Sequence, residues 1–435
     1  MNHKTELKVY PGTFGKGLGI MFYVAILLFL CGCVNSGMIN TVIPAITEKN
    51  GWNYTTALSF ASYASWLSII TAILFSQIVM KKGAKIVAVI GLFCGAANLF
   101  LFGNAPSLAV FCICILLNRL ISTAYQNASA FTFIANWFPT KKGIALGWAT
   151  MGVIFVDIIW TPAVTGAIQR WDVSVPLDIL AVIFVIVAVI GILFVKNTPE
   201  EAGAYQDNEP CSAEMVERTL KQIKQYKSPW TFKKLLSTKV VWITSIGLGL
   251  YWMAALGVSS QNVPRLVSIG YERGTATTIM SIAAIFALLG SYLFGVFDKR
   301  LGTKKACIIY GIAQTIGMCF LFFQPRHVAF VWLSLCVIYS CFGGIANLVP
   351  SMIATLFGRW DYPAANRVMY PIVSVIFRCC FKVIATGLDI WGTYTAVYII
   401  FLAATVAGLV LVFFINDKMI GAVIEEEEPE QTEAE

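Results

Sequence analysis

The sequence predicts an all-α polytopic membrane protein, with twelve transmembrane helices in two six-helix bundles. Three observations carry that prediction. Hydrophobic residues make up 58% of the 435 residues and charged residues only 12%, with a mean hydropathy of +0.76, whereas soluble domains average about 25% charged. The apolar residues fall into runs long enough to cross a bilayer, each crossing needing about 20 residues. A single long polar stretch interrupts them near the middle of the chain.

Runs bounded by charges, Gly and Pro place the first six spans at Leu18–Ile46, Thr56–Met80, Ile86–Gly103, Ser107–Trp137, Gly143–Ile168 and Pro176–Val195. The second six fall at Val240–Val263, Thr275–Phe297, Ala306–Phe323, Val328–Phe357, Ala364–Leu388 and Thr393–Ile415. The chain therefore divides into a bundle over 1–195, a central loop over 196–239, a second bundle over 240–416 and an acidic tail over 417–435, expected to be disordered. In the central loop, Met215, Leu220, Ile223 and Leu235 recur among Lys and Glu, with Pro229-Trp230 interrupting. That pattern suits an amphipathic helix lying on the membrane surface, or a regulatory element that binds a partner.

Every second short loop is basic. Lys81, Lys82 and Lys85 follow span 2, and Lys141 and Lys142 follow span 4. Lys299, Arg300, Lys304 and Lys305 follow span 8, and Arg359 and Arg367 flank the loop after span 10. The alternate loops hold only Lys49, Arg170, Arg265, Arg273 and Arg326. Basic loops resist translocation, so both termini and the central loop are expected in the cytoplasm, in a multi-pass protein of the cytoplasmic (plasma) membrane. An even number of spans follows from that arrangement.

Topology also explains the net charge of +8. The basic residues are scattered through loops and form no patch for nucleic acid. Eleven of the twelve cysteines fall in apolar spans, Cys211 excepted, and read as buried filler without metal spacing. The run through Leu30-Cys31-Gly32-Cys33 imitates a lipoprotein cleavage site but continues to Ile46, and reads as an uncleaved first helix. No metal or cofactor is expected. Neither histidine, His3 or His327, lies in mid-span, which argues against a histidine proton relay.

Ionisable residues inside a membrane are costly and usually face a cavity or a partner. Span 4 carries Arg119, span 5 Asp157, and span 11 Arg378 and Lys382. Tyr370, Ser374, Arg378, Lys382 and Thr386 recur at four-residue steps, with Asp389 three further on, so one stripe of span 11 is polar through the membrane. Two cations one turn apart call for an anion between them. A substrate carboxylate held by the Arg fork and the Lys point charge supplies it. The alternative has Lys382 snorkelling outward while Arg378 pairs with Asp157 or helix carbonyls.

Counted along their helices, Arg119 lies about 27 Å and Asp157 about 21 Å from the basic ends, close enough to pair. Asp157 otherwise serves as a proton acceptor coupled to transport. Among neutral groups, Gln126 and Tyr251 join the candidate substrate set, although such residues more often bond helix to helix, as do Asn35, Asn40, Asn127 and Asn347. Trp66, Trp160 and Trp252 are candidate cavity walls that favour substrates with apolar bodies.

Two loops occupy matching places in the halves: Ser76 to Lys85, ending Lys-Lys-Gly-Ala-Lys, and Gly295 to Lys305, reading Gly-Val-Phe-Asp-Lys-Arg-Leu-Gly-Thr-Lys-Lys. Here the sequence resembles the major facilitator superfamily, which repeats a Gly-x-Leu-x-Asp-Arg-x-Gly-Arg-Arg-like motif between helices 2 and 3 and between helices 8 and 9. The resemblance implies a gating loop at Asp298, Arg300 and Gly302. Asp298 stands one place early, and Met80 replaces the Asp of the first copy. Ala135-Asn-Trp-Phe-Pro-Thr-Lys-Lys-Gly-Ile-Ala-Leu-Gly147 and Asn197-Thr-Pro-Glu-Glu-Ala-Gly-Ala-Tyr205 are similar to segments of oxalate/formate antiporter-like and monocarboxylate carriers. That likeness implies small organic anions and alternating access between two bundles. The oxalate/formate carriers use a basic residue on helix 8 and one on helix 11; only the second has a counterpart here, in Arg378 or Lys382, which favours a bulkier or singly charged carboxylate.

The functional expectation is a monomeric secondary carrier of a small organic anion, as antiporter or proton symporter, whose partners are its substrate and the lipid bilayer. A carrier of neutral or zwitterionic solutes and a transporter-like solute sensor are the alternatives. No Gly-x-x-x-x-Gly-Lys-Ser/Thr loop and no convergent nucleophile, base or metal cluster is present, so neither an ATP-driven pump nor a membrane enzyme is expected.

Overall fold

In the computed structural model, which describes residues 12–422, the apolar runs are helices. The spans are α1 (Gly17–Ile39), α2 (Tyr54–Lys82), α3 (Ala84–Gly103), α4 (Leu108–Trp137), α5 (Lys142–Arg170), α6 (Ser174–Phe194), α7 (Lys239–Ser260), α8 (Arg273–Leu301), α9 (Thr303–Phe323) and α12 (Tyr394–Phe413). The remaining run, Val328–Trp391, contains two spans, because the chain reverses at Gly358 with φ 65° and ψ −175°. Only glycine adopts that backbone without strain. We label its arms α10 (328–357) and α11 (359–391). The loop expected between Phe357 and Ala364 is thus reduced to one residue, and Arg359 already stands in the first turn of α11.

Helix starts follow local chemistry. Asn53 accepts the Thr56 N–H at 2.9 Å, and Ser107 and Ser212 cap their helices likewise. In the two repeated loops, Gly83 (φ 86°, ψ 158°) and Gly302 (φ 87°, ψ 153°) have nearly the same backbone. Their N–H groups close the preceding helices on Val79 and Asp298 at 2.8 and 3.0 Å. The motif is therefore repeated in shape. Its carboxylate position corresponds to Val79, one residue before Met80.

Small residues set the helix spacing. A methyl group added to Gly290 would stand 2.1 Å from the Ser340 carbonyl oxygen of α10, and one on Gly152 would stand 2.1 Å from that of Ala25 in α1. Between halves, Gly295 of α8 lies against Gly143 and Gly147 of α5. Close backbone approach of this kind replaces the hydrophobic drive that lipid removes. Ile90, Leu193, Phe194 and Ile399 stay exposed, as side chains facing lipid do.

One end of the bundle gathers the described chain ends, the central segment and the loops after α2, α4, α8 and α10; we call it the basic end. The central segment forms an amphipathic helix at Ala213–Gln225 and a short one at Phe232–Leu236. Asp207 accepts the Thr140 and Lys141 N–H groups at 2.9 and 2.8 Å, which fixes the segment to the turn between α4 and α5. Residues 420–422 are docked, with Ile420 and Gly421 donating to the Leu356 carbonyl and Ala422 donating to Asp361. The start of the segment expected as a disordered tail is thus held by hydrogen bonds. His3 and the acidic stretch 423–435 lie outside the described residues.

Substituting Gly290→Ala is expected to destabilise the protein by about 1–3 kcal/mol, since the backbone of α10 must retreat. Gly274→Ala, whose added methyl meets nothing within 4 Å, serves as the control. Thermal melts in detergent check the pair; equal melting of both variants would contradict the packing.

Candidate substrate site between the two halves

Arg378 of α11 reaches across to α2. Its Nη1 donates to the Ser65 carbonyl and its Nη2 to the Ser68 hydroxyl at 3.1 Å. Arg119 of α4 lies within electrostatic range of it, and both act on the Tyr370 hydroxyl. Two guanidinium groups from opposite halves therefore meet around Ser65, which accepts from Arg378 and lines the same cavity as Arg119. Neither belongs to an ion pair: among the described residues these are Lys49–Asp172, Arg218–Glu214, Lys221–Glu217 and Arg359–Glu200. The Arg119 Nε is buried without a hydrogen-bond partner. A cavity of about 200 Å³ opens beside it, lined by Asn35, Ile39, Ser65, Asn118 and Arg119 among others.

Neutral polar groups continue the site along α1 and α4. The Cys31 thiol donates to Gln126 Oε1 at 3.0 Å, and Asn35 Nδ2 donates to the Cys31 carbonyl at 2.8 Å and to Ser122 Oγ at 3.2 Å. Aromatic rings form its floor. Trp252 of α7 stacks on Phe377 at 4.7 Å and meets Tyr370 edge-on at 6.2 Å, and Phe131 of α4 lies 6.2 Å from Tyr370. Ser374 is buried on the same face of α11.

Around this site the N-terminal half departs from regular α-helix. Wider π-helical turns occupy Cys33–Val42, Ala124–Ala130 and Val156–Trp160. They hold Asn35, Gln126 and Asp157, and the first and third pack together through Gly37 against Trp160. Such turns recur at functional sites because they re-aim side chains that a regular helix would not bring together.

Three sequence candidates stand elsewhere. Lys382, one turn beyond Arg378, is exposed; past Arg378 no side-chain hydrogen bond from α11 to the N-terminal half is found among the described residues. Tyr251 is fully buried against Gly311 of α9, Gly408 of α12 and the Tyr310 ring at 5.0 Å, so it packs inside its own half. Asp157 forms no ion pair with Arg119. It stands in the π-helical turn Val156–Trp160 and is exposed. Sequence reasoning missed Ser65, Ser68 and Cys31, because hydroxyls and thiols are commonplace in apolar spans and only the pairing of α2 with α11 gives them a role.

Toward the basic end the site is closed. Asn366 Nδ2 donates to the Asn127 carbonyl at 2.9 Å, Arg367 donates to Gln77 Oε1, and Arg359 pairs with Glu200 at 2.8 Å, with 7% and 0% of the two side chains exposed. Asp298 accepts from Thr303 at 2.6 Å and from Ser351, and packs on Gly143 of the other half. Gly302 shapes that loop; Arg300 is exposed. Thr150 and Ser291 bond across α5 and α8 at 2.7 Å. Among the described residues no side-chain hydrogen bond or ion pair joins the halves nearer the opposite end than Arg378–Ser65.

Comparison with known proteins agrees with this architecture. The chain is 24% identical over 367 residues to Monocarboxylate transporter 12-B of Danio rerio, covering 80% of this chain and 76% of that one. It is 23% identical over 296 residues to Monocarboxylate transporter 12 of Homo sapiens, covering 62% of this chain and 55% of that one. It is 24% identical over 288 residues to the sialic acid transporter NanX of Escherichia coli, covering 65% and 66%. Among solved structures, the E. coli fucose:proton symporter FucP matches with a TM-score of 0.69 at 15% identity, over 91% of this chain and 98% of that one. The proton:xylose symporter XylE matches with a TM-score of 0.69 at 14% identity, over 92% and 97%. The Major Facilitator Superfamily profile matches residues 25–376, and the chain belongs to that superfamily as a multi-pass membrane transporter rather than an enzyme.

Proposed function

We propose that this transporter carries a small organic carboxylate across the cytoplasmic membrane by alternating access, with its basic end and both termini in the cytoplasm. The observation that carries the reading is the convergence of Arg119 and Arg378, one from each half, without a carboxylate on either. An unneutralised guanidinium costs about 2.5–3.5 kcal/mol at the centre of a membrane helix, so a pair of them favours an anionic ligand. A carboxylate can accept from the Arg119 fork and from Arg378 at once and so bridge the halves. Gln126 and Asn35 offer further polar contacts, and Trp252, Phe377 and Tyr370 a surface for the substrate's carbon skeleton. The monocarboxylate and sialic acid relatives support an organic acid as cargo. Energy coupling comes from exchange or from a proton gradient, with Asp157 the protonatable group in the second case.

Transport into proteoliposomes tests the reading with a panel of mono- and dicarboxylates. Arg119→Gln and Arg378→Gln are each expected to lower carboxylate uptake about 10- to 100-fold, the loss of one charged hydrogen-bonded contact worth about 1.5–3 kcal/mol. Normal uptake by both variants would remove the anion from this site. Alternating access further requires the basic end to open. Glu200→Gln removes one charge of the buried pair with Arg359, an interaction whose loss costs about 3–5 kcal/mol. Amide exchange is therefore expected to quicken several-fold at the basic ends of α4, α5, α10 and α11. Unchanged exchange there would show that the pair does not hold this end shut.

A further inference from the structure

Away from the arginines, a cleft of about 650 Å³ opens at the basic end, between the end of α2, the central segment and the start of α11. Its size suits a small molecule. Lys81 and Lys82 of α2 and Lys224 and Lys227 of the central segment line it. All four are exposed, and none has an ion-pair partner among the described residues. Carboxylates close to the cleft are already committed. Glu201, which lines it, accepts the Asn197 N–H at 2.9 Å. Glu200 pairs with Arg359, and Glu214 and Glu217 pair with Arg218 and Lys221 on their own helix. Four ammonium groups facing one cleft repel one another, and an anion there relieves the repulsion.

The walls come from both halves. Lys81 and Lys82 end α2 in the N-terminal half. Lys224 and Lys227 flank Tyr226, and that stretch is fastened to the C-terminal half, because the Tyr226 and Ser228 hydroxyls donate to Asp361 Oδ1 at 2.7 and 2.5 Å. Trp360 of α11, whose ring lies 5.5 Å from that of Tyr226, also lines the cleft. A ligand held by both pairs of lysines therefore bridges the face that alternating access must open. The four cations also narrow its class. A lysine ammonium is a compact point charge with three rotatable donors, which suits phosphate oxygens, whereas the planar arginine fork matches a carboxylate. A phosphate group concentrates about two negative charges and three acceptor oxygens on one small centre, so a ligand rich in phosphate can serve both pairs of lysines at once.

We propose that this cleft binds a multivalent phosphate-bearing anion, a soluble phosphate ester or the headgroup of an anionic lipid, and that the bound anion holds the basic end shut. Lys81 and Lys82 grip it from the N-terminal half, and Lys224 and Lys227 from the segment fastened to the C-terminal half. It therefore binds the closed state more tightly than one in which α2 and α11 have parted, and linkage shifts the transporter toward closure by that difference. The closure rests on the alternating-access reading, and neither part depends on the chemistry of the cargo.

Inorganic pyrophosphate titrated calorimetrically into the full chain in phosphatidylcholine nanodiscs, without cargo, tests the soluble source, and nanodiscs containing phosphatidic acid test the lipid one. With pyrophosphate, the Lys81→Gln, Lys82→Gln pair and the Lys224→Gln, Lys227→Gln pair are each expected to weaken binding at least about tenfold. The Lys299→Gln, Lys305→Gln pair, exposed at the same end but outside the cleft, and Arg378→Gln are expected to bind as the unaltered chain does. Bound pyrophosphate is expected to slow amide exchange at the basic ends of α2 and α11 at least about threefold, and to lose that effect in the cleft variants. If the ligand is a lipid, phosphatidic acid gives the same lysine-dependent slowing and pyrophosphate does not bind. Failure of both anions would overturn the proposal, and so would binding without slowed exchange. Equal weakening by the Lys299, Lys305 pair would overturn it too, since diffuse surface charge then holds the anion, as would weakening by Arg378→Gln alone, which places the anion at the cargo site. These readouts use no cargo, so failure of the carboxylate reading leaves them standing.

Discussion

A guanidinium near the middle of a bilayer, held by one carbonyl and one hydroxyl, remains a charge without a counter-charge, and much of this structure answers to that constraint. Arg378 cannot reach water toward the basic end, where Tyr370, Phe131 and the bonds from Asn366 and Arg367 close the way. It turns to Ser65 and Ser68 of the opposite half. Arg119 stands within range but is equally cationic. Hydrogen bonds from neutral groups reduce the cost of burying each ion without cancelling its field, which is the physical basis of the anion site proposed above.

The rest of the fold holds that arrangement in place. Contact along α5–α8 through facing glycines and along α2–α11 through Arg378 sets two halves edge to edge. The π-helical turns of α1, α4 and α5 release side chains that regular helices would have pointed at lipid or at neighbours. At the basic end, Arg359 with Glu200 and Asp361 with Tyr226, Ser228 and Ala422 bind the central segment and the chain's end onto the turn at Gly358. These polar contacts hold the basic end closed in this structure.

The spans and their grouping were legible because each rests on a local property: apolar length, flanking charge, and glycine where the backbone needs a positive φ. Arg119 and Arg378 were legible as costly charges in apolar runs, but their convergence was not, since it depends on how two halves meet. The same gap explains Tyr251 and Lys382. Tyr251 reads as a polar mid-span group, but the face of α7 it occupies turns toward α9 and α12. Lys382 continues the Arg378 stripe by spacing, but it is exposed, and past Arg378 no side-chain hydrogen bond joins α11 to the N-terminal half among the described residues. Asp157 and Arg119 lie about one turn apart in depth when counted along their helices, yet they form no ion pair; Asp157 sits in a π-helical turn, which a count of 3.6 residues per turn does not reveal.

The central claim is that charge on the ligand, rather than its shape, is what the two arginines select. Equilibrium binding to the purified protein, followed by tryptophan fluorescence with Trp252 at the site, measures this directly when a carboxylate is compared with its primary amide. The account predicts that the carboxylate binds at least about tenfold more tightly, a difference of about 1.4 kcal/mol, and that the preference disappears in the Arg119→Gln, Arg378→Gln double variant. Equal affinity for acid and amide in the unaltered protein would contradict it.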